Sequence, residues 1–185
     1  MGLAMSSESM SQVCGLVGRD VLIENVRKDL KKGKHVLLHG EIGIGKSDVM
    51  QEAIARLPDK KTIIDISDHQ TKGQFVELAK KLFYFGLVDA SDLDLPQSFE
   101  DMPVADVPWD KIKRRVNRNS IRDLASAIIP ALKRGEGKLL IAVDDMSFLT
   151  PTQQSFWLTV LEHVQVIGCA SEKKKGVQKL WWKMK

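Results

Sequence analysis

Cysteine is nearly absent from this chain. Among its 185 residues only Cys14 and Cys169 occur, far apart and in neither C-x-x-C nor metal-ligand spacing. That excludes a disulfide framework and a cysteine-built metal site, and a reducing cytoplasm is the expected setting. Long apolar runs are also missing. No stretch approaches the roughly 18 apolar residues of a membrane-spanning helix. The N-terminus, MGLAMSSESMSQ, has neither the basic start nor the apolar centre of a secretory signal. It matches M-G-x-x-x-[ST] through Gly2 and Ser6, the myristoylation pattern. That pattern is short, and the polar, patternless residues 1–15 are expected to be a disordered leader. Charge of one sign is not dominant either. The net charge of +4 and pI near 9.0 permit contact with nucleic acid or acidic lipid without arguing for it. His35 and His39 lack a third ligand at metal spacing and read as structural. No internal repeat is visible.

What is present is the composition of a water-soluble domain, 43% hydrophobic and 28% charged, with enough chain for one buried core over residues 16–185. Val21, Leu22, Val26 and Leu30 predict a helix, started by Asp20 and ended by Gly33. His35 to His39 reads as a short buried strand. Val49, Met50, Ala53, Ile54 and Leu57 form one helix face, stopped by Pro58. Thr62 to Ile66 is a second strand. Phe75, Val76, Ala79, Leu82 and Phe83 line the next helix. Ser120 caps a helix carrying Ile121, Leu124, Ala125, Ile128 and Leu132, and Leu139 to Val143 is the third strand. Thr150, Pro151 and Gln153 spell a capping box with proline at the first helical position. That helix buries Phe156, Trp157, Val160 and Leu161 and ends near Glu162-His163. Val164 to Cys169 is the fourth strand. Strand and helix alternate four times, which predicts an α/β fold with a parallel sheet covered on both faces. Only residues 87–119 break the rhythm. They open acidic, close basic, hold three prolines, and read as an insertion or long surface connection.

The stretch from Gly40 to Ser47, GEIGIGKS, fits G-x-x-x-x-G-K-[ST] at every fixed position. Glycines let a backbone turn back and aim its N–H groups at oxyanions. A helix beginning at Lys46 adds its partial positive end. The Lys46 ammonium is then expected at the β- and γ-phosphates of a nucleotide, and the Ser47 hydroxyl on Mg²⁺. The context supports this, since the motif follows an apolar strand and opens an amphipathic helix. A carboxylate partner is supplied by LLIAVDDM, an apolar strand ending in Asp144 and Asp145. Ligands gather at the carboxyl ends of parallel strands. Asp144 is therefore expected to hold Mg²⁺ through water, and Asp145 to polarise an attacking water.

Strand–GxxxxGKS–helix, a further β–α passage, then hhhhDD resembles the P-loop ATPases with an additional strand between the Walker A and Walker B strands. Val17-Gly18-Arg19-Asp20 resembles the box that opens the AAA+ and STAND ATPases, including origin-recognition and NB-ARC-like proteins. The resemblance covers residues 17–171 and rests on short motifs. It implies a three-layer sandwich and a Mg²⁺-ATP site on Gly40, Glu41, Ile42, Gly43, Ile44, Gly45, Lys46, Ser47 and Asp48. It also implies adenine beside Val17, Gly18 and Arg19. VIGCAS resembles the sensor-1 strand, so Ser171 is implied to face the γ-phosphate. Three departures stand out. Asp145 replaces the more common Glu, Ser171 replaces Asn, Thr or Arg, and the chain stops at KLWWKMK, where a fifth strand and a helical lid are implied. The chain is thus expected to be a core piece of a longer protein or a truncated product.

Three functions follow as expectations. The first is ATP hydrolysis that drives or resets a conformational change in an assembly, with Lys46, Asp145 and Ser171 acting on the reaction. The second is a nucleotide-gated interaction module with negligible turnover. The third is a DNA-associated ATPase using Lys111, Lys113, Arg114, Arg115, Arg118 and Arg122. A solvated helix face is the plainer account of that basic cluster. Trp181 and Trp182 are better read as the start of the fifth strand than as a membrane-surface segment.

Overall fold

The computed structural model describes residues 18–58, 61–67, 71–99, 102–103, 106, 108–147 and 149–171. The expected leader, Val17, Cys14, Trp181 and Trp182 lie outside them.

Ten elements follow in order. They are α1 (Asp20–Lys31), β1 (Val36–Gly40), α2 (Lys46–Ala55), β2 (Thr62–Ile66), α3 (Thr71–Tyr84), α4 (Trp109–Val116), α5 (Ile121–Arg134), β3 (Leu139–Val143), α6 (Pro151–Leu161) and β4 (Gln165–Ser171). The four strands pair parallel in the order β1-β4-β3-β2. The last strand in the chain therefore inserts between the first and the third. β3 and β4, the inner pair, are buried along their whole length. β1 and β2, at the edges, show exposed positions.

Side chains alternate across a strand, so each inner strand feeds two cores. Ile141, Val143 and Val166 join α3, α4, α5 and α6 on one face. Leu140, Ala142, Ile167 and Cys169 join α1 and α2 on the other. The result is a helix–sheet–helix arrangement with an all-parallel sheet, the fold class that the alternating pattern implied.

Local chemistry explains several element ends. Ser120 accepts from the Asp123 N–H at 3.1 Å, and the Asp123 carboxylate accepts from the Ser120 N–H at 3.2 Å. Thr150 and Gln153 make the same reciprocal box at the start of α6. Each box satisfies donors that a helix start otherwise leaves bare.

Two expectations need correction. Asp20 does not cap α1; it is the first helical residue, Arg19 takes the cap position, and no side chain caps it. Residues 87–119 are not merely a surface connection. Leu93, Leu95, Ile112 and Val116 are buried in the main core. Ile112 and Val116 are four apart on α4, which places them on one helical face. The charge-rich composition hid that narrow apolar stripe.

Candidate functional site

The site begins with the turn between β1 and α2. Gly43 has φ +84° and Gly45 has φ +78°, values that side-chain-bearing L residues adopt only under strain. Gly45 holds the cap position of α2 in left-handed conformation, so the chain swings directly from loop into helix. The start of α2 thus presents backbone N–H groups with no intrahelical partner. Ile42 stands out from the loop at 84% exposure. The Lys46 ammonium folds back over the turn and donates to the carbonyls of Gly40 at 3.1 Å and Glu41 at 2.7 Å. An ammonium has three donors, and these bonds use two of them.

The second part is the turn after β3. The Asp144 N–H donates to Ile66 O on β2 at 2.9 Å, and the Met146 N–H to Cys169 O on β4 at 2.7 Å. The turn is thereby stitched to both neighbouring strands. The Asp144–Asp145 peptide bond is cis. Asp145 Oδ1 accepts from the Ser147 N–H at 2.7 Å and also from the Ser147 hydroxyl. Ser147 Oγ in turn accepts from the Ser171 N–H at 2.7 Å and the Ser171 hydroxyl at 3.0 Å. One donor and two acceptors exhaust the capacity of the Ser147 hydroxyl, and the residue is only 2% exposed. Behind this turn, buried Gln74 on α3 donates to Asp145 O at 3.4 Å and accepts from the indole N–H of Trp157 on α6 at 3.2 Å. A chain of side chains therefore runs from α6 through α3 to the acidic turn, and through Ser147 to the end of β4.

The two parts meet at Cys169. This thiol sits on β4, paired with Leu38 of β1, while its neighbour Gly168 pairs with Val143 of β3. Burial pushes the thiol up to about 12. The Asp144 charge raises it further, the Lys46 charge opposes that, Asp145 raises it, and a hydrogen bond from Ser47 lowers it. The Lys46, Asp144 and Asp145 charges thus act on this sulfur from the two turns, and Ser47 hydrogen-bonds it. The hydroxyl that hydrogen-bonds the sulfur keeps lone pairs for another partner.

The structure thus brings the Gly40–Ser47 turn, Asp144, Asp145 and Ser171 to one edge of the sheet. Asp48 lies exposed in the first turn of α2. Gly18 and Arg19 enter α1 at the opposite end of α2, where Arg56 pairs with Asp20 at 3.5 Å. Ten residues of helix, about 15 Å, separate that corner from Lys46. Ser147, Gln74 and Cys169 were not foreseen. A serine two residues after an Asp pair was the one available signal for Ser147.

His35 behaves as a structural residue. Its Nδ1 accepts from the Val166 N–H at 3.2 Å, and burial pushes its pKa below the usual 6.5. Among the described residues no three His, Cys, Asp or Glu side chains assemble a metal cage. A magnesium ion carried on phosphates needs only one or two protein oxygens. The Ser47 hydroxyl at the start of α2 and the Asp144 carboxylate at the end of β3, on the same end of the sheet, are residue types that fit that requirement. No helix among the described residues is long and apolar enough to cross a membrane.

Compared with known protein families, curated proteins and solved structures, the chain matches none of them.

Proposed function

We propose that this chain binds Mg²⁺-ATP at the sheet edge formed by the Gly40–Ser47 turn and Asp144, as the core of a P-loop ATPase of AAA+/STAND type. The observation that carries this reading is the pairing of Gly40 with Ser171, which bonds Ser147 and through it Asp145, so that the glycine turn and the acidic turn lie side by side at one end of the sheet. A phosphate needs an ammonium and backbone donors, and a phosphate-bound cation needs a hydroxyl and a carboxylate. Both sets are next to each other here, although they are about 100 residues apart in the chain.

In this reading the N–H groups at the start of α2 and the Lys46 ammonium hold the phosphates. Ser47 and Asp144 hold Mg²⁺, which supplies charge neutralisation at the phosphates when bound. Asp145 orients water through Oδ2, while Ser147 fixes Oδ1. Ser171, hydrogen-bonded to the same Ser147, reports the state of the site to β4.

One observation favours a second version, a nucleotide-gated module with negligible turnover. Asp145 already accepts two hydrogen bonds from Ser147 at Oδ1, which leaves only Oδ2 to hold a water. Binding and turnover separate the two.

The test is equilibrium binding of Mg²⁺-ATP to the chain and to Lys46→Ala. Loss of the charge-assisted contacts should weaken binding roughly 10- to 100-fold. Equal affinity for the two proteins would reject the site. Asp145→Asn is then assayed for hydrolysis. Abolished turnover with retained binding marks an ATPase, and wild-type turnover too slow to measure marks the gated module.

A further inference from the structure

A second surface lies away from the Cys169 cluster, at the outer edge of β2, and it combines aromatic rings with cations. Tyr84 and Phe85, at the end of α3, are 47% and 40% exposed. Their rings pack edge to face at 5.1 Å, and Tyr84 lies 5.4 Å from Trp109 at the start of α4. Two large rings exposed side by side are the unusual feature, with Trp109, half-buried against the core, next to them. They line a groove of about 370 Å³ that also takes in Asp65, Lys80 and Lys81, the last paired with Glu77 at 3.3 Å. Lys80 stands 5.5 Å over the Trp109 ring. A second cleft, of about 230 Å³, shares Lys80 and adds Glu77 of α3 and Lys113 of α4. Lys80 therefore borders both clefts.

From there the positive charge continues. Lys111, Lys113, Arg114, Arg115, Arg118 and Arg122 are all exposed. Among the described residues none of these six belongs to an ion pair. Ile112 and Val116 anchor α4 in the core and so fix the direction in which its basic side chains point. A solvated face would not need half-exposed aromatic rings beside it.

We propose that this surface binds single-stranded nucleic acid. Its phosphates run along the α4 cations, and unpaired bases stack on Tyr84, Phe85 and Trp109. Stacking on rings together with a cationic track is the physical basis of strand binding without sequence preference. Duplex bases are already stacked on one another and offer no free faces. An acidic protein segment would satisfy the charge but has less use for three rings. The proposal does not depend on the Gly40–Ser47 turn and stands or falls separately from ATP binding.

The experiment is fluorescence anisotropy of labelled dT20 with the full chain, across a range of salt concentrations. The log–log salt slope should be near −3 if about four phosphates are neutralised, at about 0.7 per phosphate for a single strand. Tyr84→Ala with Phe85→Ala should weaken binding roughly tenfold and leave the slope unchanged. Lys113→Ala, Arg114→Ala and Arg118→Ala together should lower the slope by about 2. Photocrosslinking of a 5-bromouracil oligonucleotide to the unmodified protein should label the 80–115 region, which keeps the test valid if a variant fails to fold. No dT20 binding at 50 mM salt, equal or tighter binding of duplex, equal binding of polyglutamate, or crosslinks only elsewhere would each overturn the proposal.

Discussion

The turn after β1 and the turn after β3 lie at the same edge of the sheet, yet they are held by different means. The first is made of backbone. Its shape comes from glycines at positive φ, and its one anchoring side chain, Lys46, bonds carbonyls of its own turn. The second is made of side chains. Ser147, Ser171, Gln74 and Trp157 come from four parts of the chain and are all buried. Backbone turns of this kind keep their N–H groups available to a ligand. A side-chain network fixes one arrangement and passes strain to the elements that supply it. In the proposed function the labour divides: one turn receives the ligand, and the other carries its effect to β4, α3 and α6.

The largest expected break in that comparison is Trp157→Ala. Trp157 is 1% exposed and supports Gln74. Its truncation should cost about 3–5 kcal/mol of stability, read by urea denaturation, because it opens a cavity and frees a buried amide. If the cost is under about 1 kcal/mol, α6 does not support the acidic turn. Next comes Ser147→Ala, which leaves the buried Ser171 N–H without its acceptor and Asp145 Oδ1 with only the backbone N–H of residue 147. A loss of about 1–3 kcal/mol is expected. Ser171→Ala keeps the N–H bond and should cost less, so the pair of variants sharpens which bond matters. Gly45→Ala tests the other turn. Left-handed backbone costs an L residue roughly 1–2 kcal/mol. The same change should disturb ligand binding more than Ser147→Ala does if the first turn receives the ligand.

The smallest effect is pH-dependent and belongs to neither turn, which makes it a control. Burial holds the His35 pKa below 6.5, so the folded protein prefers the neutral ring. The stability from that preference is present above about pH 6.5 and is lost as pH falls through the lower folded value. His35→Asn keeps an acceptor near Nδ1 and removes the titration. Its urea midpoint should change less between pH 7.5 and 5.5 than that of the unmodified protein. An equal change would assign the acid sensitivity to other groups.

What the sequence made legible was local. The glycines, Lys46 and Ser47 sit within eight residues, the capping box at Thr150 within four, and the cap at Ser120 is a single residue. Periods of two and 3.6 marked strands and helices. Ser147, Gln74 and Cys169 were not legible because their roles depend on strand order. Cys169 lies between β1 and the turn after β3, pairing with Leu38 and accepting from the Met146 N–H, only because β4 inserts between β1 and β3. Gln74 meets Asp145 across 71 positions. Composition also misled over residues 87–119. The charges there were read correctly as exposed, but two apolar residues per turn pair were enough to dock α4.

The most direct test of one ligand spanning both turns is amide hydrogen exchange with Mg²⁺-ATP, with ATP in EDTA, and without nucleotide. The account predicts slowed exchange at residues 43–47 with either form of ATP. It predicts slowed exchange at residues 144–147 chiefly when Mg²⁺ is present. Unchanged exchange in both turns, with protection elsewhere or nowhere, would contradict it.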